Sequence, residues 1–401
     1  MSTEPEAAPT TVAGRMQAYL GAGGLITPLM TVVVAFLVGG LVVALTGRDP
    51  FTTYQAIFDG TGLNWFFPWI SEEDRTLAEL NLQQTLIVTT PLILAGLAVA
   101  FAFRCGLFNI GGQGQYLVGS IFAVWVGSSF ADMPALLHIL FAIAAAILGG
   151  AVWAGVAGLL KAATGAHEVI STIMLNWIAV WVGIWLFGLG GPLQNDREAT
   201  LPVSNDVAEG AKLPVFWGDP VLQGLHIGLF VALGALLIFW VLLNRTTFGY
   251  EVRAVGFNPE AARASGISVT RNYVLAMAVC GLFAGLAGAL DVLGWQFRLA
   301  TNDIQVGEIG FIGIAVALLG RNTAIGVAFS ALLFGALVTG TSVRNLDETV
   351  FEPALASNLT LIIQGLVILF VSTDVLVAYL WRFRPRSWRR GPEPAAVEAR
   401  V

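Results

Sequence analysis

The sequence predicts an all-α polytopic membrane protein of about ten transmembrane helices arranged in two five-span halves. Three observations carry this. The 401 residues are 56% apolar and only 11% charged, with a mean hydropathy of +0.78, against about a quarter charged in a soluble domain. The apolar residues fall in long runs, each near the length that crosses a bilayer. The basic residues divide unevenly between alternate connections, as they do when every second loop faces the cytoplasm.

The runs lie at about 25–46, 84–103, 116–130, 134–160, 169–190, 223–243, 273–292, 306–319, 323–341 and 359–381. Residues 1–24 carry Glu4 and Glu6 against a single Arg15. That is the wrong charge for a secretory signal, and the run that follows is too long for a signal's apolar region, so it reads as a retained first span. An even number of spans returns both termini to one side. The tail at 382–401, with Arg382, Arg384, Arg386, Arg389 and Arg390, makes that side the cytoplasm. Trp381 and Trp388 among these arginines suit an interfacial anchor. This threading of the membrane domain, 25–381, puts fourteen of the twenty basic residues inside and leaves Arg48, Arg75, Arg197, Lys212, Arg298 and Arg344 outside.

Several function classes are excluded early. A net charge of −6 provides no basic field for nucleic acid. The two lysines, Lys161 before Ala162 and Lys212 before Leu213, cannot end a Gly-Lys-Ser/Thr phosphate loop; nucleotide hydrolysis has to come from a partner. Cys105 and Cys280 fall at or within apolar runs as small buried hydrophobes, and three scattered histidines make no metal site. His167-Glu168 has Ser171 where a zinc protease needs its second His. Asp291 and Asp374 lie near span ends, where a carboxylate reaches the interface.

Two segments are poor ordinary spans. Gly106-Leu-Phe-Asn-Ile-Gly-Gly-Gln-Gly-Gln115 precedes a short apolar run, and Gly307-Glu-Ile-Gly-Phe-Ile-Gly313 opens another. Broken backbone at membrane depth survives only where protein or a water-filled cavity satisfies it. One such segment in each half points, by analogy with secondary transporters, to a translocation path between the halves. Close helix packing is the alternative use of these glycines, and Gly281-x-x-x-Gly285 fits packing better than function.

The connection at 244–272 contains a short helix written in capping residues. Asn258 accepts from the first free amides, Pro259 has φ preset for the first turn, Glu260 sits at the positive end of the helix dipole, and Gly266 takes the left-handed closing conformation. Two turns are too few to hold alone in water. A soluble partner or an ordinary surface packing supplies the rest.

Glu260-Ala261-Ala262-x-x-x-Gly266 resembles the start of the EAA loop of importer permeases of the ATP-binding cassette (ABC) class. The frame from Gly256 through Arg263 to Ile267 is similar to the branched-chain amino acid, ribose and simple sugar permease group. Cys105 to Gln115, Glu168-Val-Ile-Ser-Thr-Ile-Met-Leu-Asn176 and Gly310 to Gly320 resemble the nucleoside-type permeases within it. The Ile-x-Leu-Pro that continues the wider EAA pattern does not follow Gly266. The resemblance implies a type II importer permease fold and a passive pathway subunit with no cofactor. It implies Asn258, Pro259, Glu260, Ala261, Ala262, Arg263 and Gly266 as the element coupled to an ABC ATPase subunit. It implies a second permease chain, identical or related, an extracytoplasmic solute-binding lipoprotein, and a location in the cell membrane among lipid.

Polar groups inside apolar runs are the candidates for the path: Asn109, Gln113 and Gln115 in the first broken segment, Ser171, Thr172, Asn176 and Trp177 in the fifth span, and Glu308 at the second break. Their amides, hydroxyls and carboxylate match sugar hydroxyls and base edges. Each also fits a hydrogen bond to a neighbouring helix. Nucleosides are the expected cargo, with simple sugars or branched-chain amino acids as alternatives. An ion-coupled secondary transporter would need ionisable groups at mid-membrane, where Glu308 is the single candidate. An intramembrane enzyme would need a catalytic pair that these His, Asp and Glu placements do not supply.

Overall fold

The structure, a computed structural model, describes residues 26–220 and 224–342 with a few positions between 358 and 369. The first helix, α1, is Ile26–Leu45. Helix α2, Pro50–Gly60, starts where Asp49 accepts from the amides of Phe51 and Thr52 at 3.4 and 3.0 Å. Helix α3, Glu72–Arg104, is capped by Ser71, carries three acidic residues in its first turn and ends on an arginine, the arrangement its dipole favours. Then follow α4 (Gly112–Ser129), α5 (Ala135–Thr164), α6 (Glu168–Phe187), α7 (Gly228–Arg245), α8 (Thr247–Phe257), α9 (Pro259–Ala264) and α10 (Val269–Asp291). Helix α10 runs on into a π-turn, Val292–Gln296; α11 (Thr301–Val306), α12 (Ile309–Leu319) and α13 (Ala324–Gly340) complete the described helices.

Among the described residues, six helical stretches are long and apolar enough to cross a membrane: Glu72–Arg104, Ala135–Thr164, Glu168–Phe187, Gly228–Arg245, Val269–Gln296 and Thr301–Leu319. The predicted runs at 25–46, 116–130 and 323–341 are also helices: α1 and α13 are predominantly apolar, and α4 is the most polar of the three. Apart from a few positions up to 369, the run at 359–381 lies outside the described residues, as do both tails, 1–24 and 382–401, with Asp374, Trp381, Trp388 and the tail arginines.

The core forms around α3. Residues 92–102 are buried on every face, the signature of a helix enclosed by other helices. Helices α10, α12, α13 and α7 surround it, while α10 also packs along α5 and α4. The Gly281-x-x-x-Gly285 pattern sits at that crossing. A Cβ at Gly281 would fall on the Gly150 carbonyl, and one at Gly285 on the Ala146 carbonyl, so backbone meets backbone where small residues permit it.

Two expectations are corrected. The chain is mostly helical but not wholly so: Val215–Trp217 pairs antiparallel with Leu225–His226, and the run expected from 223 becomes helix only at Gly228. The connection after α6 is laid over the end of α10, with amide bonds from Ser204 to Leu299, Val207 to Phe297 and Leu213 to Leu293, each 2.8 Å. Asp291 does not reach an interface. It is 2% exposed and its carboxylate accepts from Tyr116 Oη, from Trp295 Nε1 at 2.7 Å and from Gln296 Nε2 at 2.6 Å. A charge that cannot reach water has to be met by donors of the chain itself.

Replacing Gly285 with Leu should destabilise the protein by about 1–3 kcal/mol or more through overpacking. Gly234→Leu, at a position where a Cβ meets nothing within 4 Å, should be close to neutral. Thermal midpoints of the two purified variants check the contrast.

Candidate functional site

The first broken segment begins where α3 ends. Gly106 takes φ 72°, and the amides of Gly106 and Leu107 bond the carbonyls of Phe103 and Ala102 at 3.1 and 3.0 Å. These two bonds close the helix in the Schellman manner. The chain then runs without helix to Gly112, which leaves the first amides of α4 without partners from their own helix. Side-chain amides answer them. Asn109 Oδ1 accepts from the Gly111 amide at 3.0 Å, and its side chain pairs reciprocally with Gln115 at 3.0 and 3.1 Å. Asn176, from α6, accepts from the Gly114 amide at 2.8 Å and donates to the Ile110 carbonyl at 2.9 Å.

The second break meets the first. Gln113 Oε1 accepts from the Gly310 amide at 2.8 Å, so a residue of α4 caps the start of α12 from across the interface. A Cβ on Gly310 would overlap the backbone of Gln113, and one on Gly114 would lie 2.8 Å from Asn176 Oδ1. Both glycine-rich motifs are therefore required by close approach. The two broken helices abut at their N-termini, and a side chain of the first caps the second. Gln113 Nε2 is buried without a partner.

Of the residues expected along a path, Asn109, Gln113, Gln115, Thr172 and Asn176 come together, each at most 5% exposed. Thr172 donates to the Glu168 carbonyl at 2.7 Å. Ser171 is half-buried one turn from the start of α6. Trp177 does not join them. It is 60% exposed, turned about 100° around α6 from Asn176. There it lines a shallow apolar groove of about 450 Å³ with Trp181 and Trp185. Glu308 is exposed at the start of α12. The Trp177-Trp181-Trp185 spacing of four was readable in the sequence as one helix stripe; the Gln113–Gly310 bond, between residues 197 apart, was not. Among the described residues no group of three His, Cys, Asp or Glu could hold a metal ion.

The short capped helix has the form its residues predict. Asn258 is extended (φ −158°, ψ 104°) and accepts from the amides of Glu260 and Ala261 at 3.0 and 3.1 Å. Pro259 is the first helical residue, Gly266 takes φ 83°, and the Ile267 amide returns to the Ala262 carbonyl at 3.0 Å. Ala262 is buried, whereas Asn258, Pro259, Glu260, Ala261, Arg263 and Gly266 are exposed. The helix ends at Ala264. Just before it, the Gly256 backbone lies directly against residues 104–106: a Cβ there would overlap the Arg104 carbonyl, and one on Gly106 would sit 3.1 Å from Gly256 Cα. The exposed tip and the first broken segment thus share a backbone contact.

This pairing of an exposed capped helix with a broken membrane segment agrees with a sequence match. Residues 81–372 match the family described as branched-chain amino acid transport system, permease component. The chain belongs to this permease family. This permease is 38% identical to the guanosine ABC transporter permease NupP of Bacillus subtilis over 89% of its own length and 95% of the relative's. It is 35% identical to the nucleoside ABC transporter permease NupB of Lactococcus lactis, over 79% and 83% of the two chains. With the glucose ABC transporter permease TsgB13 of Haloferax volcanii the identity is 35%, over 87% of each.

Asn176→Ala strips partners from the buried Gly114 N–H and the part-buried Ile110 C=O, and should cost about 1–3 kcal/mol. Trp177→Ala, one residue along on the exposed side, should leave stability nearly unchanged. Thermal unfolding of both variants in detergent decides whether Asn176 caps α4 as described.

Proposed function

We propose that this chain is the pathway subunit of an ABC importer for nucleosides, driven by a separate ATPase. The family match and the near full-length similarity to NupP support the reading. The observation that carries it is the helix α9, six residues long, capped at both ends and exposed. A helix this short has almost no stability of its own, and its placement at a tip suits a handle for another protein. In this reading residues 244–272 form the cytoplasmic coupling loop of a membrane domain spanning 25–381, with both tails, 1–24 and 382–401, inside. Glu260, Ala261 and Arg263 face the ATPase, while Asn258, Pro259 and Gly266 hold the helix closed and Ala262 seats it.

The membrane-depth residues then divide by exposure. Asn109, Gln113, Gln115, Thr172 and Asn176 frame the two broken helices, Ser171 flanks them, and Trp177 and Glu308 present their side chains to the path. A second permease chain completes the pore, and a solute-binding lipoprotein delivers cargo. A tryptophan face stacks a nucleobase and a carboxylate accepts from ribose hydroxyls. Sugar transport is the second reading, favoured by the similarity to TsgB13; stacking on an indole serves a base better than a hexose.

In proteoliposomes holding the complete transporter, labelled guanosine should accumulate only with ATP inside and should outcompete glucose. Accumulation without the ATPase would mean an ion-coupled carrier, and preference for glucose would make this a sugar system. Glu260→Ala should weaken ATPase association and uptake without altering membrane insertion. Gly266→Val, which forces a branched side chain to φ 83°, should do the same; ATPase pull-down and uptake measured side by side test both.

A further inference from the structure

Phe257 is 95% exposed, more than any other large apolar side chain among the described residues. It ends α8, whose Gly249, Val252 and Val255 are buried, and it immediately precedes the extended Asn258 that opens α9. Leaving a whole phenyl ring in water forgoes about 1.5–3 kcal/mol of burial, yet no described residue covers it.

The charges around it are one-sided. Arg253, one turn back on α8, and Arg263 and Arg271 are exposed, and among the described residues none is within ion-pairing distance of a carboxylate. Of the nearby acids, Glu251 is taken by Asn272 Nδ2 at 3.0 Å, which leaves Glu260 as the one exposed carboxylate between residues 245 and 272. A basic surface with an apolar centre calls for a partner surface of opposite pattern. A bilayer rich in anionic lipid would also attract arginines. It would repel Glu260, which stands three residues from the ring with its backbone amide fixed by Asn258.

Resting on the reading of α9 as the coupling helix, we infer that Phe257 is the apolar anchor of that contact, seated in an apolar pocket of the ATPase whose rim carries carboxylates facing Arg253, Arg263 and Arg271. An aromatic in a pocket ringed by polar contacts is how binding energy concentrates at interfaces. The anchor adjoins Gly256, whose backbone lies on Gly106, so a pull on the ring reaches the first broken segment without passing through a flexible side chain.

The test measures binding of the purified ATPase subunit of the transporter to this permease in nanodiscs. Phe257→Ala should raise Kd about tenfold or more, Phe257→Leu about threefold or less, and neither should move the thermal midpoint, since the side chain is 95% exposed among the described residues. Changing Arg253, Arg263 and Arg271 together to Gln should raise Kd and flatten its dependence on salt. Unchanged affinity in Phe257→Ala, with Glu260→Ala weakened, overturns the anchor and leaves the coupling helix standing. If the ATPase fails to bind the unaltered permease, the coupling reading itself falls. A nitroxide on Phe257→Cys is selective because Cys105 and Cys280 are buried. Loss of its collisions with an aqueous nickel chelate on adding ATPase supports the anchor. Collisions with lipid-phase oxygen instead of nickel before addition would place the ring in the membrane and overturn it.

Discussion

The architecture depends on one constraint: a helix that starts in the packed interior exposes amides that no water can reach, and each has to find an acceptor in the protein. Helices α4 and α12 both start this way. Neither brings a Ser, Thr or Asp cap of its own. Their ends are satisfied by Asn109 from the preceding link, by Asn176 from α6, and, for α12, by Gln113 from α4. The caps are thus also the bolts between elements far apart in sequence. Polar residues in a membrane segment, which suggest a ligand site, are here consumed largely in holding two broken helices end to end. In the proposed reading, the groups left for a solute are the exposed ones, Trp177 and Glu308, rather than the buried amides.

This division explains which parts of the fold were legible in the sequence. Local chemistry was. Asn258, Pro259 and Gly266 act within one short stretch, so their residue types specify the cap, the first turn and the closure that the structure shows. The breaks just before Gly112 and Ile309 were legible for the same reason, since glycine density weakens a helix wherever it occurs, although the glycine-rich residues 112–115 and 309–313 are themselves helical. Sidedness was not. Asn176 and Trp177 are neighbours in sequence, yet 100° of helical turn puts one in the core and the other outside, and only packing against α4 decides which. Asp291 was misplaced because its partners, Tyr116 on α4 and the π-turn residues Trp295 and Gln296, come together only when α4 and α10 are side by side. The small β-pairing escaped because two- and three-residue strands leave no periodicity to read.

Helix α10 ties these features into one body. It starts at Val269, directly after the capped tip, and its 23 residues span about 35 Å at the usual rise. Midway, Gly281 and Gly285 press it against α5 with no side chain between the backbones. At its far end the Asp291 carboxylate holds the π-turn and α4 together, and the π-turn and the residues that follow it carry the amide bonds to the connection after α6. A rod gripped by backbone contact at its middle and by a buried carboxylate at its end has little freedom to bend. A displacement applied near Val269 is transmitted along the whole element rather than absorbed in side chains. The second contact of the tip, Gly256 on residues 104–106, works on α3 and the first broken segment by the same means. An ATPase gripping the tip would therefore act on both halves at once: through α10 on the second, and through the Gly256 joint on the first. The Gln113–Gly310 bond between α4 and α12 would keep the two displacements in step.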